Sequence, residues 1–67
     1  MIETLAQIRG PKFTASIVLW DDKVVETAPR VGLMKGWTRG RVREFCREKS
    51  WQISVVHEVR RAGVAKR

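Results

Sequence analysis

Between Phe13 and Trp20 the chain alternates Phe13, Ala15, Ile17 and Leu19 with Thr14, Ser16, Val18 and Trp20, a period of two rich in β-branched and aromatic side chains. That pattern predicts a strand. Asp21-Asp22 supplies a turn, and Val24-Val25-Glu26-Thr27-Ala28 resumes strand propensity until Pro29 ends it, so the segment reads as a β-hairpin. A two-residue loop sets Glu26 opposite Ile17. A three-residue loop that includes Lys23 brings Leu19 beside Val25 and Ile17 beside Thr27, and this register is preferred because it keeps apolar residues together.

Pro29 to Trp37 carries Val31, Leu33, Met34 and Trp37 between Gly32 and Gly36, too apolar for a solvated linker and too glycine-broken for a long helix. It is expected to pack as a turn-rich cover on the core. Thr38 is a good N-cap, and Val42, Phe45 and Cys46 then fall at i, i+3 and i+4, which predicts a helix from about Arg39 to Lys49 with one apolar face. Gly40 weakens it by about 1 kcal/mol relative to Ala, and Arg41 stands where a capping box wants Glu or Gln. Trp51, Ile53, Val55, His57 and Val59 alternate with Gln52, Ser54, Val56 and Glu58, giving a last strand.

At the other end, Ile2, Leu5, Ala6 and Arg9 fall at helical spacing while Thr4, Ala6 and Ile8 alternate. The period leaves both types open, and a short helix is the expectation until Gly10-Pro11 breaks the segment. The expected fold is α+β: a small β-β-α-β domain with a three-stranded sheet and one helix packed on a face. Residues 1–67 read as a single domain, with an N-terminal segment 1–11 and a basic tail 60–67.

Length sharpens this picture. A chain of 67 residues buries only about 60% of the surface its unfolded form exposes, so its core is marginal and self-association is expected. One cysteine, Cys46, and one histidine exclude an internal disulfide and a structural zinc site. No run approaches the roughly 18 apolar residues of a membrane span, and Met1-Ile2-Glu3-Thr4 lacks the basic and apolar regions of a signal peptide. The cytoplasm is therefore the expected compartment, with no membrane partner.

Charge changes the picture most. The formal net charge is +7, and nearly all of it lies past Pro29, where eleven basic residues face three acidic ones. On the predicted helix Arg39, Arg43 and Arg47 form one stripe, with Glu44 and Glu48 on the far side. Charged helix faces are commonly only solvated. Here nine arginines against five lysines favour phosphate recognition, because the planar guanidinium makes bidentate contacts that lysine cannot. Lys35, Arg60 and Arg61 extend the set, and counterion release needs no base-reading motif.

Single residues point mostly to packing. Trp37 and Trp51 flank the helix and are placed to bracket it against the sheet, whereas Trp20 at the hairpin tip is the aromatic best placed for an exposed contact. Cys46 shares the apolar helix face with Val42 and reads as a buried, inert thiol; His57, on a face with Val55 and Val59, reads as a packing histidine. No phosphate loop, catalytic triad order or tyrosine is present, and turn chemistry accounts for Asp21-Asp22. The chain is expected to be non-catalytic and to need no metal or cofactor. Zinc-finger, helix-turn-helix and basic-zipper patterns are also missing, so any nucleic-acid binding must rest on shape and charge.

Phe13-Thr14-Ala15, the hairpin from Ile17 to Glu26, Ala28-Pro29 and the stretch from Gly36-Trp37 to Trp51 resemble small uncharacterised proteins encoded by bacteriophages, notably those of actinobacteria. The resemblance implies a source, the cytoplasm of a bacterial host, and a binding role on host or phage machinery; it carries no chemistry to transfer.

Two functional expectations result. The first is a small nucleic-acid-binding accessory protein, with DNA as the foremost target, that contacts phosphates through Arg39, Arg43, Arg47, Lys35, Arg60 and Arg61. The second is a non-catalytic protein that binds and modulates a host protein, acting as a homodimer or larger homo-oligomer. Its contact surface is the sheet face away from the helix, where Val18, Trp20, Val24 and Val56 fall in the preferred register.

Overall fold

The computed structural model describes residues 1–60. Strands β1 (Ile2–Arg9), β2 (Thr14–Trp20) and β3 (Lys23–Thr27) form a meander; a 3-10 segment (Pro29–Met34) and helix α1 (Arg39–Lys49) then cross the sheet and deliver β4 (Gln52–Arg60) to the free side of β1. All pairings are antiparallel, in the order β3-β2-β1-β4. The class is α+β as expected, with four strands in place of three.

The extra strand is Ile2–Arg9, for which a helix was the expectation. Its buried positions are Thr4, Ala6 and Ile8, the alternating set and not the helical one. Two of these are small or polar, so the period of two was faint. Their size has a use, because Ala6 lies opposite Ile17 and Ile8 opposite Ala15, and each large side chain faces a small one beneath the covering layer. β1 is thus an inner strand, paired on both edges, where a short helix was expected.

The hairpin register also needs correction. Trp20 pairs with Lys23 across a two-residue loop in which Asp21 and Asp22 both have positive φ, 51° and 68°, as a type I′ turn demands. Leu19 then faces Val24, and a bulge at Val25 restores the expected pairing of Ile17 with Thr27. Inserting one residue on β3 resolves the conflict between turn chemistry and apolar pairing. It also moves Val24 into the core, at 2% exposure, so Val24 is not part of an open sheet face.

One face of the sheet carries the whole core. Ala6, Ile8, Ala15, Ile17, Leu19 and Val24 meet Val31 and Met34 of the 3-10 segment and Val42 and Cys46 of α1. The turn-rich cover is as expected: Val31 and Met34 are fully buried, and Gly36 N and Trp37 O bond to Val24, closing the outer edge of β3. A row of edge-to-face aromatics seals one side, with ring centroids 4.8 Å apart for Phe13–Trp51, 5.6 Å for Trp51–Phe45 and 5.4 Å for Phe45–Trp37.

Helix α1 begins and ends where the sequence indicates. Thr38 Oγ1 accepts from Arg41 N at the N-terminus. At the other end Ser50 takes a left-handed conformation, with Ser50 N donating to Arg47 O and Trp51 N to Cys46 O, a Schellman motif built without glycine. The position that lacked a capping-box acid is explained by packing: Arg41 stacks over the Trp37 ring at 4.5 Å.

Candidate nucleic-acid interface

The arginine stripe lies beside β4. Arg43 lines a cavity of about 40 Å³ together with Val42, Ile53, Ser54 and Val55, which sets that flank of α1 above the last strand. Glu44 and Glu48 lie across the helix with Trp37 and Phe45. The rotation of 100° per residue thus sets Arg43 apart from Glu44 and Glu48 as the sequence indicates, while Arg41 shares the side of the two acids.

The stripe is not uniform. Arg39 Nη1 lies 3.1 Å from Asp22 Oδ1 and 3.7 Å from Glu58 Oε2, and Glu58 also accepts from Thr4 Oγ1 at 2.8 Å. Asp22 O additionally accepts from Arg39 N at 2.8 Å. Arg39 is therefore a structural tie whose charge is offset by two carboxylates. Arg43 and Arg47 are exposed and have no carboxylate within ion-pair distance among the described residues. Their charge is available to a ligand.

The remaining expected contacts scatter. Lys35 sits on the covered β3 edge, because its neighbour Gly36 bonds to Val24, and three strand spacings of about 4.8 Å separate that edge from β4. Arg60 closes β4 opposite Ile2, at the end of the sheet that also holds Asp21 and Asp22, and so belongs to a strand rather than a tail. Arg61 and the rest of the basic tail lie outside the described residues. One helix turn, Arg43 and Arg47, is what the fold brings together from the expected set.

The open sheet face is partly as expected. Trp20 is 46% exposed, with its indole nitrogen donating to Glu3 Oε2 at 3.4 Å, and Val18 lines a shallow depression with Glu3, Leu5, His57 and Val59. A second bulge, at Val56, shifts β4 by one residue relative to β1 between Leu5 and Ala6. Val55 consequently faces the helix side opposite Ala6, whereas His57 lies opposite Leu5 on the open face, exposed, beside Val18 and Val59 but away from Val55. Val56 itself is 56% exposed at the bulge. Because β3 is closed by the Gly36–Thr38 segment, β4 presents the free edge of the sheet.

Cys46 is buried, and desolvation pushes its thiol pKa up. No three His, Cys, Asp or Glu side chains converge for a metal ion among the described residues, and no helix there is long and apolar enough to cross a membrane. No family model, curated protein or solved structure matches this chain.

Proposed function

We propose that the chain is a small, non-catalytic nucleic-acid-binding accessory protein that contacts phosphates through the β4 flank of α1, chiefly Arg43 and Arg47. One observation carries this reading: Arg43, beside β4, and Arg47, one helix turn further on, have no carboxylate in ion-pair distance among the described residues, while Glu44 and Glu48 of the same helix lie on its other side. Arginines so placed can each span two phosphate oxygens, and the free edge of β4 adds backbone amides as donors. Arg39 and Lys35 contribute little, the first being neutralised by Asp22 and Glu58 and the second standing at the opposite edge.

The test is titration into labelled single- and double-stranded DNA and RNA at several salt concentrations, with Arg43→Ala/Arg47→Ala alongside. Affinity should fall steeply with salt and fall again in the variant, with a shallower salt slope. Wild-type protein that binds none of the four at low salt sinks the proposal.

A second reading has its own observation. Leu5, Trp20, Val55 and Val56 are all more than a third exposed, and β4 is a free edge, features that suit a protein partner or a second copy of this chain. Its signature is salt-tolerant association, read as a concentration-dependent mass by sedimentation.

A further inference from the structure

We propose that phosphates of the bound nucleic acid are also held at the end of the sheet opposite the Asp21-Asp22 turn, by Arg9, Lys12, Arg30 and Lys49, an inference that rests on the nucleic-acid reading and extends its site. These four residues are remote in sequence, and the fold gathers them. Arg9 closes β1 opposite Thr14 and Gln52, and Lys12 lies in the turn that follows. The Arg30 guanidinium stacks 5.0 Å from the Phe13 ring centroid, Phe13 packs on Trp51, Trp51 packs on Phe45, and Lys49 Nζ lies 5.6 Å over Phe45.

The charge at this end is one-sided. Segments 9–14, 27–30 and 49–52, which meet here, contain four cations and no carboxylate; the nearest acid along the chain is Glu48, on the Phe45 side of the last turn of α1 and outside any ion pair among the described residues. At the other end, segments 1–3, 20–23, 38–39 and 58–60 hold four side-chain carboxylates and three basic side chains. Strands of this length separate the two ends by roughly 25 Å, about three Debye lengths at physiological salt, so the carboxylates at one end do not neutralise the cations at the other.

Helix-dipole compensation accounts for Lys49, which stands in the last turn of α1, but not for Arg9, Lys12 and Arg30, which lie off the helix. Two of the four cations are held on aromatic faces and not by carboxylates, which fixes their position without cancelling their charge. Mutual repulsion of these groups has no structural return among the described residues, and a polyanion would relieve it. Arg47, in the last turn of α1, leads from Arg43 towards this end, giving a basic path from the helix flank to the β1–β2 turn.

Arg9→Gln/Lys12→Gln is the variant to measure, because neither side chain makes an ion pair or ring contact among the described residues and the fold should be untouched. Lys23→Gln/Lys35→Gln, on the β3 side, removes the same charge elsewhere. Against labelled DNA and RNA, Arg9→Gln/Lys12→Gln should weaken binding about tenfold near 50 mM salt and reduce the salt slope by about one for each phosphate no longer neutralised. The β3-side control should keep the wild-type slope. Arg30→Gln/Lys49→Gln, with folding checked by circular dichroism, should repeat the effect. Equal slopes for the two double variants and the wild type, with Arg43→Ala/Arg47→Ala still defective, would overturn this inference and leave the helix flank as the site. Wild-type protein that binds no nucleic acid would overturn both.

Discussion

Arg39 Nη1 stands 3.1 Å from Asp22 Oδ1, so the first turn of α1 is tied to a turn 17 residues earlier in the chain. Both side chains are substantially exposed, and solvent screening limits what such a pair contributes. A double-mutant cycle with Arg39→Ala and Asp22→Ala, read by urea unfolding, should give a coupling of about 0.2–1 kcal/mol that shrinks with salt. Asp22→Asn should also strengthen nucleic-acid binding at low salt by lifting one restraint on the Arg39 charge. Weaker binding in that variant would contradict the role assigned to Arg39.

The two glycines that flank the start of α1 should respond with opposite signs. Gly36 has φ of +90°, which L side chains rarely adopt, and Gly36→Ala should cost about 1 kcal/mol or more although nothing lies within 4 Å of the added methyl. Gly40 is helical and also opens onto empty space, so Gly40→Ala should stabilise by roughly 0.5–1 kcal/mol through helix propensity. Melting temperatures of the two variants should move apart around the wild type. A common direction of shift would mean that the Gly36–Thr38 segment is not held as described.

Met34 tests whether the 3-10 segment belongs to the core. It is fully buried between sheet and helix, and Met34→Ala should cost about 2–5 kcal/mol, much of the stability available to so small a domain. Leu33, 56% exposed one residue earlier, should tolerate Ala with a change of about 0.5 kcal/mol or less. Urea midpoints that shift equally in the two variants would place this segment outside the core.

How far the sequence reaches is clearest where it misleads. Helix α1 and its N-cap Thr38 were legible because capping and a 3.6-residue period agree there. β1 was not, because an inner strand whose inward positions are Thr4, Ala6 and Ile8 carries little hydrophobic contrast. The two bulges, at Val25 and Val56, were invisible for a different reason: each is fixed by tertiary pairing, through the type I′ turn at Asp21-Asp22 and through the neighbouring β1. Their effect on the site was large, since one extra residue buried Val24 and turned His57 to the open face. The Arg43–Arg47 flank followed from helix geometry alone. Neutralisation of Arg39 by Asp22 and Glu58 required the sheet order, which depends on β1.

Cys46 offers a check on the core under alkaline conditions. Burial beneath α1 disfavours its thiolate, so the folded-state pKa lies above the usual value of 9.0 that the unfolded chain should show. Well below pH 9.0 the thiol is protonated in both states and contributes no pH dependence. As pH rises past that value the unfolded chain releases its proton while the folded protein keeps it, and stability falls until the folded-state thiol also ionises. Urea midpoints followed upward from pH 8 should therefore drop more steeply in the wild type than in Cys46→Ala, which is less stable at pH 8 because it shortens a packed side chain. The native thiol should also resist a thiol reagent at pH 8 and react promptly in urea. Parallel pH profiles for the two proteins, or fast labelling without denaturant, would show that this face of α1 is open to water.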